Sequence, residues 1–304
     1  MADGTRHVRL PGAGVRLHAA RWPGPEHRPP LVVLHGIWES WRTFADCARR
    51  WSADRTVYCL DLRGHGDSDR PSTGYRFVDY AADVRVALAA IGPEVDLLGH
   101  SLGAAVALHL AAGTTGGGDA GRPARIRRLV AVEPPVLLPD DWPPVRADMA
   151  RSWRLARRPL DEIVAALPAT ATRTPGWRRM IAESLAGTAD GVFRAMVDAE
   201  QGEVDWVGLL RRIATPTLAV AGDPDVTGTL LAGDRMTAFG AGLPSARVAV
   251  LPGAGHHVEI DRPACFHALV EEFLSVGAPA PGALSPAPAR PTTPALSAAR
   301  AWPA

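Results

Sequence analysis

Six apolar runs do most to limit what this chain can fold into: "LVVLHG" (31–36), "VYCLDL" (57–62), "VDLLGH" (95–100), "RLVAVE" (128–133), "TLAVAG" (217–222) and "RVAVLPG" (247–253). They are nearly continuous in apolar character instead of alternating, the pattern of parallel strands buried on both faces. Helical stretches separate several of them. In "FVDYAADVRVALAAI", Phe77, Ala81, Val84, Leu88 and Ile91 step by three or four and give one apolar face. Strands alternating with helices at this length predict an α/β fold with a doubly wound, mostly parallel sheet. At the start, "HVRLPGAGVRLHAARW" has the form of an antiparallel hairpin around Gly12-Ala13-Gly14.

The alternation breaks between residues 139 and 212. This stretch is rich in helix formers and holds Trp142, Trp153, Trp177 and Trp206. It is expected to be a helical cap inserted after the sixth strand, with its tryptophans forming the cap's own core and some facing a pocket. The expected organisation is a core of residues 1–138 and 213–276, a cap of 139–212, and a Pro/Ala-rich tail of 277–304 expected to be disordered. "GTTGGGDAGRPA" (113–124) is expected to be a flexible connection; it lacks the GK[ST] of a phosphate-binding loop.

Composition excludes several chemistries. The 304 residues contain no lysine, so Schiff-base, Ser–Lys and Walker-type sites are out; they contain no asparagine, which removes a Cys-His-Asn triad. A formal charge of +1 gives no footprint for nucleic acid or an anionic membrane. Cys47, Cys59 and Cys265 are too few and too scattered for a disulfide framework or a zinc site. The stretch "MADGTRHVRL" holds no apolar h-region, and no apolar run of about 18 residues occurs in the sequence. The expectation is a soluble cytoplasmic protein with no cofactor and no metal. The cluster Asp61, His65, Asp67, Asp69 is expected to be a structural turn. His256-His257 is not expected to bind metal as a pair, because adjacent side chains diverge.

"GHSLG" (99–103) carries the chemistry. It matches G-x-S-x-G with an apolar strand before it and small helix formers after it. Such an elbow holds its central residue in a strained conformation. Side chains two positions away would clash, which accounts for Gly99 and Gly103. Ala104 and Ala105 let the helix approach the sheet. Ser101 then projects at a helix N-terminus, where N–H groups favour developing negative charge. A serine nucleophile needs a base, and the imidazole of His256 suits proton transfer near neutrality. It also needs an acid to hold that imidazole, for which Asp225 of "GDPD" is the candidate. Glu133, which ends the preceding apolar run, is expected to be structural or pocket-lining, with a role as alternative acid the lesser reading.

Taken together, the motifs resemble the α/β-hydrolase family over roughly residues 8–276. "LVVLHGIWESWRTF" is similar to its strand, His-Gly and oxyanion loop; "YCLDLRGHGDSDRP" to its D-x-R-G-x-G-x-S turn; "GHSLGAAVALHLA" to its elbow. "PTLAVAGDPDV" resembles the strand whose G-x-x-D bears the acid, and "LPGAGHHVEIDRP" the histidine loop. The resemblance implies a triad of Ser101, Asp225 and His256 in the order Ser…Asp…His. It implies an oxyanion hole from the backbone N–H groups of Ile37 and Leu102, with His35 and Gly36 shaping that loop. Serine at the elbow argues against the dehalogenases and epoxide hydrolases of this fold, which use aspartate there. The expected activity is hydrolysis of a carboxylic ester or lactone, on a small hydrophobic acyl substrate, through an acyl-enzyme. Thioester cleavage, C–C hydrolysis, acyl transfer and perhydrolysis use the same constellation, and a ligand receptor or scaffold with little turnover is the alternative of a different class.

Overall fold

The computed structural model describes residues 4–114, 124–170, 172–198, 201 and 204–275. Two strands, β1 (Arg6–Pro11) and β2 (Arg16–Trp22), pair antiparallel through a tight turn closed by the Gly12 N–H donating to the Val15 carbonyl at 2.8 Å. Six more follow: β3 (Leu31–Leu34), β4 (Val57–Leu60), β5 (Glu94–His100), β6 (Arg125–Val132), β7 (Thr217–Ala221) and β8 (Arg247–Val250). They form one sheet in the order β1-β2-β4-β3-β5-β6-β7-β8; β2 meets β4 antiparallel, and every pairing from β4 to β8 is parallel.

The continuous apolar runs follow from this topology. Side chains alternate across the sheet, so a strand covered on both faces has no polar face to show. Val32, Leu34, Leu97, Leu129 and Ala131 enter one core, while Leu31, Val33, Leu98, Val130 and Val132 enter the other. The first face is covered by α2 (Phe77–Ile91), α3 (Leu102–Ala111), α8 (Trp206–Leu210) and α9 (Gly233–Gly242). The second is covered by α1 (Ala45–Trp51) and α11 (Pro263–Ser275), the latter preceded by the short α10 (Val258–Asp261). On α2, Phe77, Ala81, Val84 and Leu88 are buried as their spacing predicts, and Asp79 caps the helix by accepting from the Arg76 N–H at 2.9 Å.

Between β6 and β7 the chain adds α4 (Trp142–Leu155), α5 (Leu160–Ala166), α6 (Pro175–Gly187) and α7 (Asp190–Val197) ahead of α8. Helix α6 starts where Thr174 Oγ1 accepts from the Trp177 N–H, with Pro175 in the first turn. The tryptophans divide. Trp142 is buried with Leu137, Met149 and Met196, and Trp153 stacks on Phe193 with centroids 6.1 Å apart. Trp206 packs on Phe77 in the main core, and Trp177 stands edge-on to His257 at 5.2 Å. The expected tail of 277–304 and most of the 113–124 connection lie outside the described residues.

The chain leaves β3 toward β4 on one side and returns to β5 on the other. This reversal opens a crevice at the carboxyl ends of β3 and β5, the place where open α/β sheets bind ligands. His35, Gly36 and Ile37 follow β3, and Ser101 follows β5.

Candidate active site

Ser101 links β5 directly to α3 with φ 50° and ψ −115°, a backbone region that non-glycine residues seldom enter. The glycines around it are there for close approach. A Cβ on Gly99 would lie 2.2 Å from the Gly103 carbonyl oxygen, and one on Gly103 would lie 2.4 Å from that of Leu34. The Gly103 N–H donates to the His35 carbonyl at 3.1 Å and the Ser101 N–H to the Val132 carbonyl at 2.9 Å. The elbow is thereby fastened to the loop after β3 and to the end of β6. Ala104 and Ala105 are fully buried against the sheet.

Among the described residues, three non-glycine residues have positive φ: Trp38 (65°), Ser101 (50°) and Glu133 (48°). They follow β3, β5 and β6, adjacent strands of the sheet, so the strained backbone collects around one crevice. Glu133 is fully buried. Its Oε1 accepts from the Gly222 N–H at 2.8 Å, its Oε2 accepts from the Leu230 N–H at 2.5 Å, and that same Oε2 lies 3.3 Å from His256 Nδ1. Burial pushes the Glu133 carboxyl up, but the contact with His256 and the two N–H donors outweigh it and hold the group below its ordinary value. For His256, burial dominates and lowers the imidazole below 6.5, with the nearby His100 acting in the same direction and Glu133 opposing.

The expectation that Asp225 faces His256 is corrected by this geometry. Asp225 is exposed, and its N–H donates to Asp223 Oδ1 at 3.0 Å. The turn "GDPD" is organised by Asp223, whose Oδ2 accepts from the Gly253 N–H at 2.7 Å, and it carries Asp225 to the outside. The carboxylate at His256 Nδ1 is Glu133, from the strand before.

The loop after β3 is fixed by His35. The Leu62 N–H donates to His35 Nε2 at 3.1 Å, so the proton sits on Nδ1, which donates to the Gly36 carbonyl at 2.7 Å. Both ring nitrogens of His35 are therefore occupied by backbone groups. The Gly36 N–H donates to Glu39 Oε2 at 2.9 Å. Leu102 is the first residue of α3, where N–H groups have no acceptor within the helix. Ile37 and Trp38 pack against the Leu137, Trp142, Met149, Met196 cluster, which makes the roof over this loop apolar.

Sequence reasoning gave no part to Glu39, His100 or His257. Glu39 Oε1 lies 3.3 Å from His100 Nδ1 and 3.6 Å from His257 Nδ1; His257 Nδ1 is also 3.2 Å from Glu259 Oε1. The only signal in the sequence was local: a glutamate three residues after Gly36, in reach of its N–H, and a histidine just before the serine. The His256 and His257 rings meet edge-on, T-shaped with centroids 5.4 Å apart. Asp61 accepts from the backbone N–H groups of Trp41 and Asp67 and is engaged by His18.

A serine on a strained strand-to-helix turn at the switch point of a parallel sheet, with a histidine loop beyond the last strand, defines an α/β hydrolase. The chain belongs to the alpha/beta hydrolase family, whose model matches residues 31–266. The 2-(acetamidomethylene)succinate hydrolase of Mesorhizobium japonicum is 30% identical over 244 residues, covering 76% of this chain and 82% of that protein. The crystal structure of an E-2-(acetamidomethylene)succinate hydrolase superposes with a TM-score of 0.73 at 25% identity, covering 90% of this chain and 100% of that one. The pimeloyl-(acyl-carrier protein) methyl ester esterase of Xanthomonas campestris is 28% identical over 242 residues, covering 76% of this chain and 88% of that protein. Among the described residues, no helix is long and apolar enough to cross a membrane.

Proposed function

We propose that the protein is a serine hydrolase that cleaves a carboxylic ester or lactone with a hydrophobic acyl group, using Ser101 as nucleophile, His256 as base and Glu133 as the acid that orients it. The observation that carries this reading is the Glu133–His256 contact of 3.3 Å, made by a buried carboxylate to the Nδ1 side of the imidazole. That contact leaves Nε2 as the basic nitrogen. Ser101 Oγ attacks the carbonyl carbon, its proton passes to His256 Nε2, and the oxyanion is received by the N–H groups of Ile37 and Leu102. The tetrahedral intermediate expels the alcohol, which takes the proton from His256. Water then attacks the acyl-enzyme with His256 again as base, releasing the acid and restoring Ser101. The preference for an apolar acyl group is supported by the roof of Leu137, Trp142, Met149 and Met196 beside Ile37. The relatives' names include a methyl ester esterase and a hydrolase of an acetamido compound; both fit attack on a carboxylic carbonyl.

The test pairs a fluorophosphonate with a panel of p-nitrophenyl esters, thioesters and lactones. The wild type should gain one covalent adduct by intact mass and turn over at least one ester or lactone; Ser101→Ala should do neither. A wild type that resists labelling and turns over nothing in the panel would point to a receptor or scaffold instead.

A further inference from the structure

Behind the proposed triad lies a buried glutamate–histidine pair, Glu39 and His100, that the mechanism above does not use. His100 is fully buried between the elbow and the histidine loop, its ring centroid 4.7 Å from that of His256. Its Nε2 lies 3.0 Å from the His256 carbonyl oxygen. A carbonyl can only accept, so Nε2 carries a proton. The other nitrogen, Nδ1, is 3.3 Å from Glu39 Oε1 and has no aligned hydrogen-bond partner among the described residues. A bare lone pair there would face a carboxylate oxygen at a buried position, which is repulsive. A second proton on His100 turns that contact into attraction.

Glu39 in turn holds the oxyanion loop. Its Oε2 accepts from the Gly36 N–H, and its own N–H donates to the Gly36 carbonyl at 3.3 Å. The loop runs tight over the pair: a Cβ on Gly36 would sit 2.9 Å from Glu39 Oε1 and 3.0 Å from His100 Nδ1. One pair of side chains thus touches the loop that carries Ile37 and the backbone of His256, and one of its two members, His100, is the residue before Ser101.

We propose that Glu39 and His100 form a buried ion pair that positions the oxyanion loop, the elbow and the His256 loop against one another, and that the positive charge on His100 keeps His256 in its neutral, basic form at mildly acidic pH. The proposal rests on the triad reading above. Burial alone would lower His100, but Glu39, then Glu259, outweigh it and push it up to about 10. The groups facing His100 are Glu39 from the oxyanion loop and Glu259, His256 and His257 from the segment leading through α10; those facing His256 are Glu133, His100 and His257. The His100 ring lies 4.7 Å from that of His256, close enough for its charge to act directly on that imidazole.

Glu39→Gln keeps the shape and an acceptor for the Gly36 N–H but removes the charge, and the buried His100 then sheds its second proton. The acid limb of kcat/KM against pH should move up by about one pH unit, with the plateau kcat within a few-fold of wild type. Glu39→Ala also frees the Gly36 N–H, so the plateau kcat should fall by about 10- to 100-fold with KM little changed. Direct readout comes from the 15N shifts of histidine-labelled protein, with His100 assigned by its loss in His100→Gln. At pH 8 the wild type should show His100 as an imidazolium, and Glu39→Gln should show it neutral. A neutral His100 in the wild type at pH 8, or an acid limb unmoved in Glu39→Gln, overturns the proposal. So does a stoichiometric metal ion that is lost in Glu39→Gln, since Glu39, His100 and His257 present ligand atoms within 4.8 Å of one another. If the triad reading fails, the wild type is neither labelled nor active, while the 15N measurement still reports on the pair.

Discussion

Glu133 Oε2 lies 3.3 Å from His256 Nδ1 and also accepts from the Leu230 N–H, so the carboxylate is held on the imidazole by the backbone beyond β7 as well as by its own strand. Losing an acid so placed lets the imidazole take the wrong tautomer, which costs about 10⁴ in kcat in the reference Ser-His-Asp triad. Glu133→Gln should cut kcat by several orders of magnitude with KM far less affected. Asp225→Asn, at an exposed position, should leave kcat near wild type. Steady-state kinetics on both variants decides between the two carboxylates; a crippled Asp225→Asn beside an active Glu133→Gln would reverse the assignment. Asp223→Asn should lower the thermal midpoint while sparing kcat, because its two oxygens tie the Asp225 and Gly253 N–H groups of this turn.

The pH profile has a defined sign. In the proposed mechanism His256 can act as base only when neutral, and burial first of all, then His100, lowers its pKa below 6.5. Glu133, held below its ordinary value, stays ionised across the same range. Activity should therefore rise with pH along a limb lying below 6.5 and be flat through neutrality. A limb centred above 7, with chemistry shown to be rate-limiting, would contradict a buried histidine base.

The parts of this fold written in local chemistry were legible in the sequence. Strand runs such as "LLGH" and the glycines flanking Ser101 answer to constraints within a few residues, namely burial on both faces and the lack of room for a Cβ on Gly99, which would lie 2.2 Å from the Gly103 carbonyl oxygen. The acid was not legible in the same way. "GDPD" and "AVEPP" each offer a carboxylate at the end of a strand, and the choice depends on which one crosses β7 to reach His256. That crossing is set by the positive φ of Glu133 and by the turn that sends Asp225 outward, and neither is visible as a spacing. Glu39 was missed for a related reason: its partner His100 is 61 positions away (100 − 39) and meets it only because β3 and β5 are neighbours.

If Ser101, His256 and Glu133 act as one unit, their losses will not add. Ser101→Ala/Glu133→Gln should be scarcely slower than Ser101→Ala alone. A double variant slower by the product of the two single losses would mean that Glu133 acts on something other than the imidazole that serves Ser101.

The elbow glycines make a stability prediction whose sign can be checked against a control in the same chain. Gly103→Ala drives a Cβ to 2.4 Å from the Leu34 carbonyl oxygen and 2.7 Å from that of His35. Leu34 ends a central strand paired on both sides, so the clash falls on backbone that has little freedom to retreat. Overpacking of this kind costs about 1–3 kcal/mol, and relief would push α3 off the sheet and move Ser101 with it. The thermal midpoint should drop by several degrees, and labelling of Ser101 should slow by more than the lost folded fraction explains. Gly240→Ala is the control: it is exposed inside α9, has no positive φ, and a Cβ there meets nothing within 4 Å. Alanine should stabilise the helix at that position by about 0.5–1 kcal/mol and leave labelling unchanged. Scanning calorimetry and fluorophosphonate labelling rates on the two variants give the comparison. A Gly103→Ala protein as stable and as reactive as wild type would mean that the elbow tolerates a methyl group and that the strained turn is not set by its glycines.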